Sequence, residues 1–264
     1  MDDHAGRSRL PLDAIANSLS HDVDASSAHD GWVVAAPAMT LDDGMAITFC
    51  ALRCLALDPG RQARFWAGVL DVPLERETVA VPGFSLQFVV TDRPKSVQSR
   101  IHLDLTSSSL EDQRAHVATV LRLGGQHVDI GQDPSDGHVV LADPEGNELC
   151  VIPAGNQFLA DTGRIGAVNC DGTHAVGVFW SRVLGWPLVW DEGEETAIQS
   201  PDGGSKFTWS GPPLMARDTP ERISFHLAAQ GPEDLARLVT LGATALGGGR
   251  FLDPDGSEFI VTSV

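Results

Sequence analysis

Arg64-Phe65-Trp66-Ala67-Gly68-Val69-Leu70-Asp71-Val72-Pro73-Leu74 returns in the second half of the chain as Val178-Phe179-Trp180-Ser181-Arg182-Val183-Leu184-Gly185-Trp186-Pro187-Leu188. A second pair follows in the same order. Asp143-Pro144-Glu145-Gly146-Asn147-Glu148 is matched by Asp253-Pro254-Asp255-Gly256-Ser257-Glu258. Two separate matches in one order are the signature of a duplication. They divide the 264 residues into an N-terminal extension, 1–46, and two related domains, 47–154 and 163–264.

Each half divides again. Ile47 to Leu57 is apolar enough for a β-strand. Asp58 then offers a helix N-cap, with Pro59 at the first helical position. Phe65 with Val69, and Trp66 with Leu70, form i,i+4 pairs on one helical face, and Asp71-Val72-Pro73 ends the helix. Phe84 to Val90 is a later strand. The cycle restarts at Arg100-Ile101-His102-Leu103-Asp104-Leu105, whose alternation puts His102 and Asp104 on one face and three apolar residues on the other. A helix through Val117, Val120 and Leu121 ends near Gly124-Gly125, and strands at 127–130, 138–142 and 148–152 complete the unit. The second half repeats this with a strand at 223–228, a helix from Gly231-Pro232 to Gly242, and strands at 250–252 and 258–262. Each half thus reads as two βαβββ modules, an α+β fold in which a curved mixed sheet carries helices on its outer face. The extension reads as partly disordered, with a short edge strand at Trp32 to Met39.

Thirty-six acidic residues against 18 basic ones give a formal net charge of -18, which repels nucleic acid and anionic lipid. No stretch approaches the roughly 18 apolar residues of a membrane span. The start lacks the basic and apolar regions of a secretion signal. Cys50, Cys54, Cys150 and Cys170 form no CxxC pair and are too few for a disulfide scaffold. A cytoplasmic protein, as monomer or homodimer, is the expectation.

These segments resemble the vicinal oxygen chelate superfamily, the glyoxalase, bleomycin-resistance and dioxygenase fold, and within it glyoxalase-like proteins of actinobacterial type. The residues carrying the resemblance are Ala63 to Trp66 with Val69-Leu70, Pro94-Lys95 through Arg100 to Leu105, and Val139 to Val151. The resemblance implies tandem glyoxalase-like domains, the second more degenerate. Their activities range from isomerases and dioxygenases to non-catalytic drug binders, so the fold does not choose among them.

The resemblance further implies a divalent metal held by residues on the first and last strands of paired modules. His102 stands at the histidine register, but Cys150 replaces the usual glutamate, with Glu148 and Ile152 as its same-face neighbours. Ala51 and Leu52 occupy another expected ligand region. A set of His102, Cys150, Gln87 and Cys54 is conceivable for zinc. In the second domain His226 corresponds to His102, while Ile260 takes the glutamate position. With carboxylate ligands missing, no metal or other cofactor is expected.

His102 and Asp104 remain the catalytic candidates, as a polar pair in which the carboxylate tunes the imidazole. Cys150 is a nucleophile only beside a cation, and otherwise a half-buried strand residue. Lys95 and Arg100 are either anion anchors or solvated surface. The matched turns lack the glycine and basic pattern of a phosphate loop. Trp66 and Trp180 read as core, whereas Trp186, Trp190 and Trp209 line an aromatic pocket or a seam between domains. The ligand-binding candidates are therefore Gln87, His102, Glu148, Cys150, Trp186, Trp190, Trp209 and His226. The expected function is metal-independent binding of an apolar or aromatic small molecule. The alternative is a lyase, isomerase or dioxygenase-like enzyme using His102, and a third option is a scaffold whose cups are filled by its own side chains.

Overall fold

The computed structural model describes residues 47–132, 135 and 137–263; the extension and its expected edge strand lie outside the described residues. Four βαβββ modules follow one another. The first holds β1 (Thr48–Ala56), α1 (Pro59–Leu70), β2 (Leu74–Glu75), β3 (Thr78–Val81) and β4 (Phe84–Val90). The second holds β5 (Ile101–Leu105), α2 (Leu110–Arg122), β6 (Gln126–His127), β7 (Val139–Ala142) and β8 (Glu148–Val151). The third holds β9 (Ile165–Cys170), α3 (His174–Leu184), β10 (Leu188–Glu192), β11 (Glu195–Gln199) and β12 (Lys206–Trp209). The fourth holds β13 (Ile223–Ala229), α4 (Pro232–Leu241), β14 (Thr244–Gly247), β15 (Arg250–Leu252) and β16 (Glu258–Ser263). Asp58 caps α1 as its sequence position suggests, accepting from the Arg61 amide at 2.9 Å.

The modules pair across the two halves. One eight-stranded sheet has the order β14-β15-β16-β13-β1-β4-β3-β2, joining the first and fourth modules. The other, β10-β11-β12-β9-β5-β8-β7-β6, joins the second and third. The central contacts are antiparallel, β1 with β13 and β5 with β9; within each module the first strand pairs in parallel with the last, and the outer strands are added antiparallel. Any hollow in either sheet is therefore shared by both halves of the sequence.

On the helix side, one apolar core runs through both sheets and takes Phe65 and Trp66 from α1 and Phe179 and Trp180 from α3. A register shift between Phe49 and Ala51 lets Phe49 and Leu52 both face this core. The two repeated motifs meet here. Trp66 Nε1 donates to Asp143 Oδ2 at 3.4 Å, and Trp180 stands beside the Asp253 side chain, where it helps to stabilise the carboxylate. Asp143 Oδ1 also accepts from the Glu145 and Asn147 amides, and Asp253 Oδ1 from those of Asp255 and Ser257. These are Asx-type turns in which Gly146 and Gly256 take the left-handed backbone that favours glycine. The next acid in each turn reaches another module. Glu145 accepts from the Leu57 and Asp58 amides at the start of α1, and Asp255 from the Thr173 amide at the start of α3. The signature is a clamp between successive modules of one half, and the sheets then tie the halves together.

A small cavity near this core is lined by Arg100, Asp171, Glu221 and Asp253 among aromatic rings. Burial pushes the Glu221 carboxyl up to about 7, with Arg217 opposing, and the Asp253 carboxyl up to about 6. A carboxyl with a raised folded-state pKa binds more protons folded than unfolded between the two values, so its contribution weakens as pH rises through that interval. We expect the thermal midpoint to fall between about pH 5 and about pH 8, and Glu221→Gln to flatten the fall. Parallel melting curves of both proteins across that range check it. An unchanged slope in the variant means that Glu221 is solvated.

Candidate functional site

The site lies on the helix-free face of the second sheet. Leu103 and Leu105 of β5 enter the core, so His102 and Asp104 project to the opposite side, as the alternation predicted. Asp104 stands in register with Cys150 of β8 and with Ala167 of β9, and His102 with Asn169. His102 Nε2 lies 3.3 Å from Asp104 Oδ1. One ligand-capable atom from each of His102, Asp104 and Cys150 lies within 4.8 Å of the others, and all three residues are buried. Among the described residues this is the group with metal-ligand chemistry at such spacing.

Burial lowers the pKa of His102, but the charge of Asp104 and hydrogen bonds to Asp104 and Cys150 outweigh it, leaving the imidazole well above its ordinary value. Burial raises the Cys150 thiol, and His102 offsets this only in part. His102 is therefore held toward its imidazolium form beside Asp104, and Cys150 toward its protonated thiol. Cys150 in that state is no nucleophile, because the thiolate is the reactive form.

Around the trio the hollow is lined by His138, Ile152, Asn156, Phe158, Leu159 and Thr208. Thr208 Oγ1 and His138 Nδ1 are buried and have no hydrogen-bond partner among the described residues. Phe158 and Leu159 come from the connector between the halves and pack into the hollow against Cys150 and Ala167, leaving little open space. Lys206 holds this connector: its ammonium donates to the Phe158 carbonyl and sits 4.4 Å from the Phe158 ring centroid. Trp190 packs edge-on to the same ring at 6.0 Å.

The other sequence candidates fall elsewhere. Gln87 and His226 belong to the first sheet, where their side chains bond each other at 3.2 Å. Glu148 is taken up by Lys95 Nζ at 2.5 Å and the Ser99 amide at 3.1 Å. Arg100 donates to the Met215 carbonyl through Nε and Nη2, while its Nη1 is buried without a hydrogen-bond partner among the described residues. Trp209 is buried in the core, and Trp186 packs edge-on and tilted against Phe49 and Phe207. The conceivable zinc set does not assemble. Cys54 faces the core, where burial lifts its thiol to about 12, and Gln87 lies in the other sheet. Alternation gave each side chain its face, but only the order of strands decides which of them converge. Asn169, Thr208 and Asn156 escaped the sequence reading for that reason. Phe158-Leu159, two large apolar residues in a polar connector, was a signal available in the sequence.

The model of the glyoxalase-like domain matches residues 50–152 and again 166–262. The chain belongs to this family. It is thus a member of the vicinal oxygen chelate superfamily, with two copies of the domain covering most of its length. Glyoxalase I from Zea mays is similar in structure, with a TM-score of 0.56 at 13% identity over 83% of this chain and 92% of that one. A putative dioxygenase from Bacillus subtilis subsp. subtilis str. 168 gives a TM-score of 0.50 at 13% identity, covering 82% of this chain and 84% of that one. At such identities the likeness concerns the fold alone. By sequence, no curated protein matches the chain. Among the described residues of this glyoxalase-like protein, no helix is long and apolar enough to cross a membrane.

Proposed function

We propose that this glyoxalase-like protein binds a small apolar or aromatic molecule in the hollow of the second sheet and carries or sequesters it without a metal. The observation that carries this reading is the self-satisfied trio. Asp104 neutralises the His102 charge and burial keeps the Cys150 thiol protonated, so the polar floor needs no ion to balance it. Thr208 and His138 offer unpaired polar atoms to one end of a ligand, while Ile152 and Ala167 receive its apolar body. The ligand takes the space of the connector tip, so Phe158 and the ligand compete. The four unpaired cysteines support a reducing, cytoplasmic setting, and the net charge of -18 supports a partner other than nucleic acid, for a monomer or homodimer.

A second reading, an enzyme of the lyase, isomerase or dioxygenase kind, is favoured by the donor set. A nitrogen, an oxygen and a sulfur ligand within 4.8 Å fit a borderline-soft divalent ion such as zinc, with His102, Asp104 and Cys150 holding it. Bound there, it would act as a Lewis acid toward a ligand oxygen.

The neutral fluorophore N-phenyl-1-naphthylamine and cobalt(II) separate the two readings. The first expects the fluorophore to bind the metal-free protein. Phe158→Ala then tightens binding by about tenfold through removal of the competing ring, and Ala167→Phe abolishes it by filling the hollow. No fluorophore binding, together with one cobalt per chain showing thiolate charge-transfer absorption that Cys150→Ser removes, replaces the first reading with the second.

A further inference from the structure

We propose that the helix-free face of the first sheet is a second, separate ligand site, which takes a small carboxylate-bearing molecule on the Arg53 guanidinium. Leu52 and Cys54, on either side of Arg53, both enter the core, so Arg53 projects from the middle of β1 to the opposite face. β1 is an interior strand of the eight, so this side chain rises from the floor of the sheet rather than from an edge. In register beside it stand Gln87 of β4 and Ser224 of β13. One step along β13, His226 lies 3.2 Å from Gln87 Oε1 through Nδ1 and 3.2 Å from Thr262 Oγ1 through Nε2.

Arg53 is half-buried, yet among the described residues it makes no hydrogen bond and no ion pair. The acid that could have neutralised it is committed elsewhere. Glu258 forms a two-pronged pair with Arg250, at 2.8 Å from Nε and 2.8 Å from Nη2. Burial and the nearby Arg53 charge hold His226 below its ordinary value, so its ring is neutral at neutral pH. The face therefore carries one unbalanced positive charge among neutral hydrogen-bonding groups, in a chain whose formal net charge is -18.

That pattern selects the ligand class. A guanidinium presents two parallel N–H groups that match the two oxygens of a carboxylate. A single positive charge with neutral neighbours balances a monoanion and undercompensates a dianion such as phosphate. The net negative charge of the chain acts beyond the first contact and is screened over about 8 Å at physiological salt, so it disfavours polyanions more than one small carboxylate at the guanidinium. Ile260, in register with His226, offers an apolar contact for the body of the ligand.

Benzoate is the probe, followed by calorimetry at neutral pH and moderate salt. The wild-type chain should bind one equivalent. Arg53→Met should weaken binding by about tenfold or more, and Arg53→Lys by a smaller factor because an ammonium cannot form the fork. Gln87→Leu should weaken it as well, and serves if Arg53→Met fails to fold. Ala167→Phe, which fills the hollow of the other sheet, should leave benzoate binding unchanged. The proposal is overturned by no binding at about 10 mM benzoate. Equal affinity in Arg53→Met, or in Gln87→Leu where that variant serves, overturns it too. Loss of binding in Ala167→Phe would assign benzoate to the other hollow instead, which also overturns it.

Discussion

Phe207→Ala is expected to lower the unfolding free energy by about 3 kcal/mol, the lower end of the range for removing a buried phenylalanine ring. Phe207 is 1% exposed and belongs to β12 of the second sheet, but most of its ring partners belong to the first. Its centroid lies 4.8 Å from that of Phe49, 6.0 Å from Phe84 and 5.5 Å from Phe225, with Trp186 at 5.4 Å. The ring thus joins the two sheets through edge-on and tilted aromatic contacts, which add to its burial. An adjoining groove lined by Phe49, Phe84 and Trp186 gives the truncated site access to solvent, which places the cost at the lower end. Urea denaturation of the wild type and of Phe207→Ala and Phe207→Leu measures it. A loss below about 1 kcal/mol for the alanine variant would mean that the sheets are held together elsewhere.

Arg222→Met should cost about 3 kcal/mol for a different reason, because it strands a charge. Arg222 is buried, and its Nη2 donates to Glu145 Oε2 at 2.7 Å, while Nη1 donates to the Arg93 carbonyl at 3.0 Å. Glu145 is the acid of the repeated turn, already accepting from the Leu57 and Asp58 amides. Arg222 immediately precedes the central strand of the fourth module, so this pair links the clamp of the first half to the start of β13. Without the guanidinium, the Glu145 carboxylate keeps two amide donors but loses its counter-charge, so the low end of the usual cost applies. Adding Glu145→Gln to Arg222→Met should recover part of the loss, since the double variant leaves no buried charge. A double-mutant cycle reads this coupling directly. Additive losses would show that the two groups act independently.

These two sites divide what was legible from what was not. The tryptophan of the repeated helix and the aspartate of the repeated turn were both readable as motifs, since local rules for helix faces and Asx turns need only neighbours in sequence. Their mutual contact, Trp66 with Asp143 and Trp180 with Asp253, was not. The same holds for the sites. His102 and Asp104 were placed on one face by a period of two, yet the arrival of Cys150 beside them depends on β8 lying next to β5. Gln87 and His226 carried the right chemistry for a ligand, but they lie on the helix-free face of the other sheet, beside Arg53.

By itself the sequence determined the four βαβββ modules, the face on which His102 and Asp104 stand and the Asp58 cap of the first helix, because these follow from side-chain period and backbone preference within a few residues. Only the tertiary structure decided that modules pair across the halves, that the connector tip Phe158-Leu159 enters the hollow beside His102, and that Arg53 is left without a partner. Strand adjacency is set by how four modules jointly bury one shared core, and no local pattern encodes that competition.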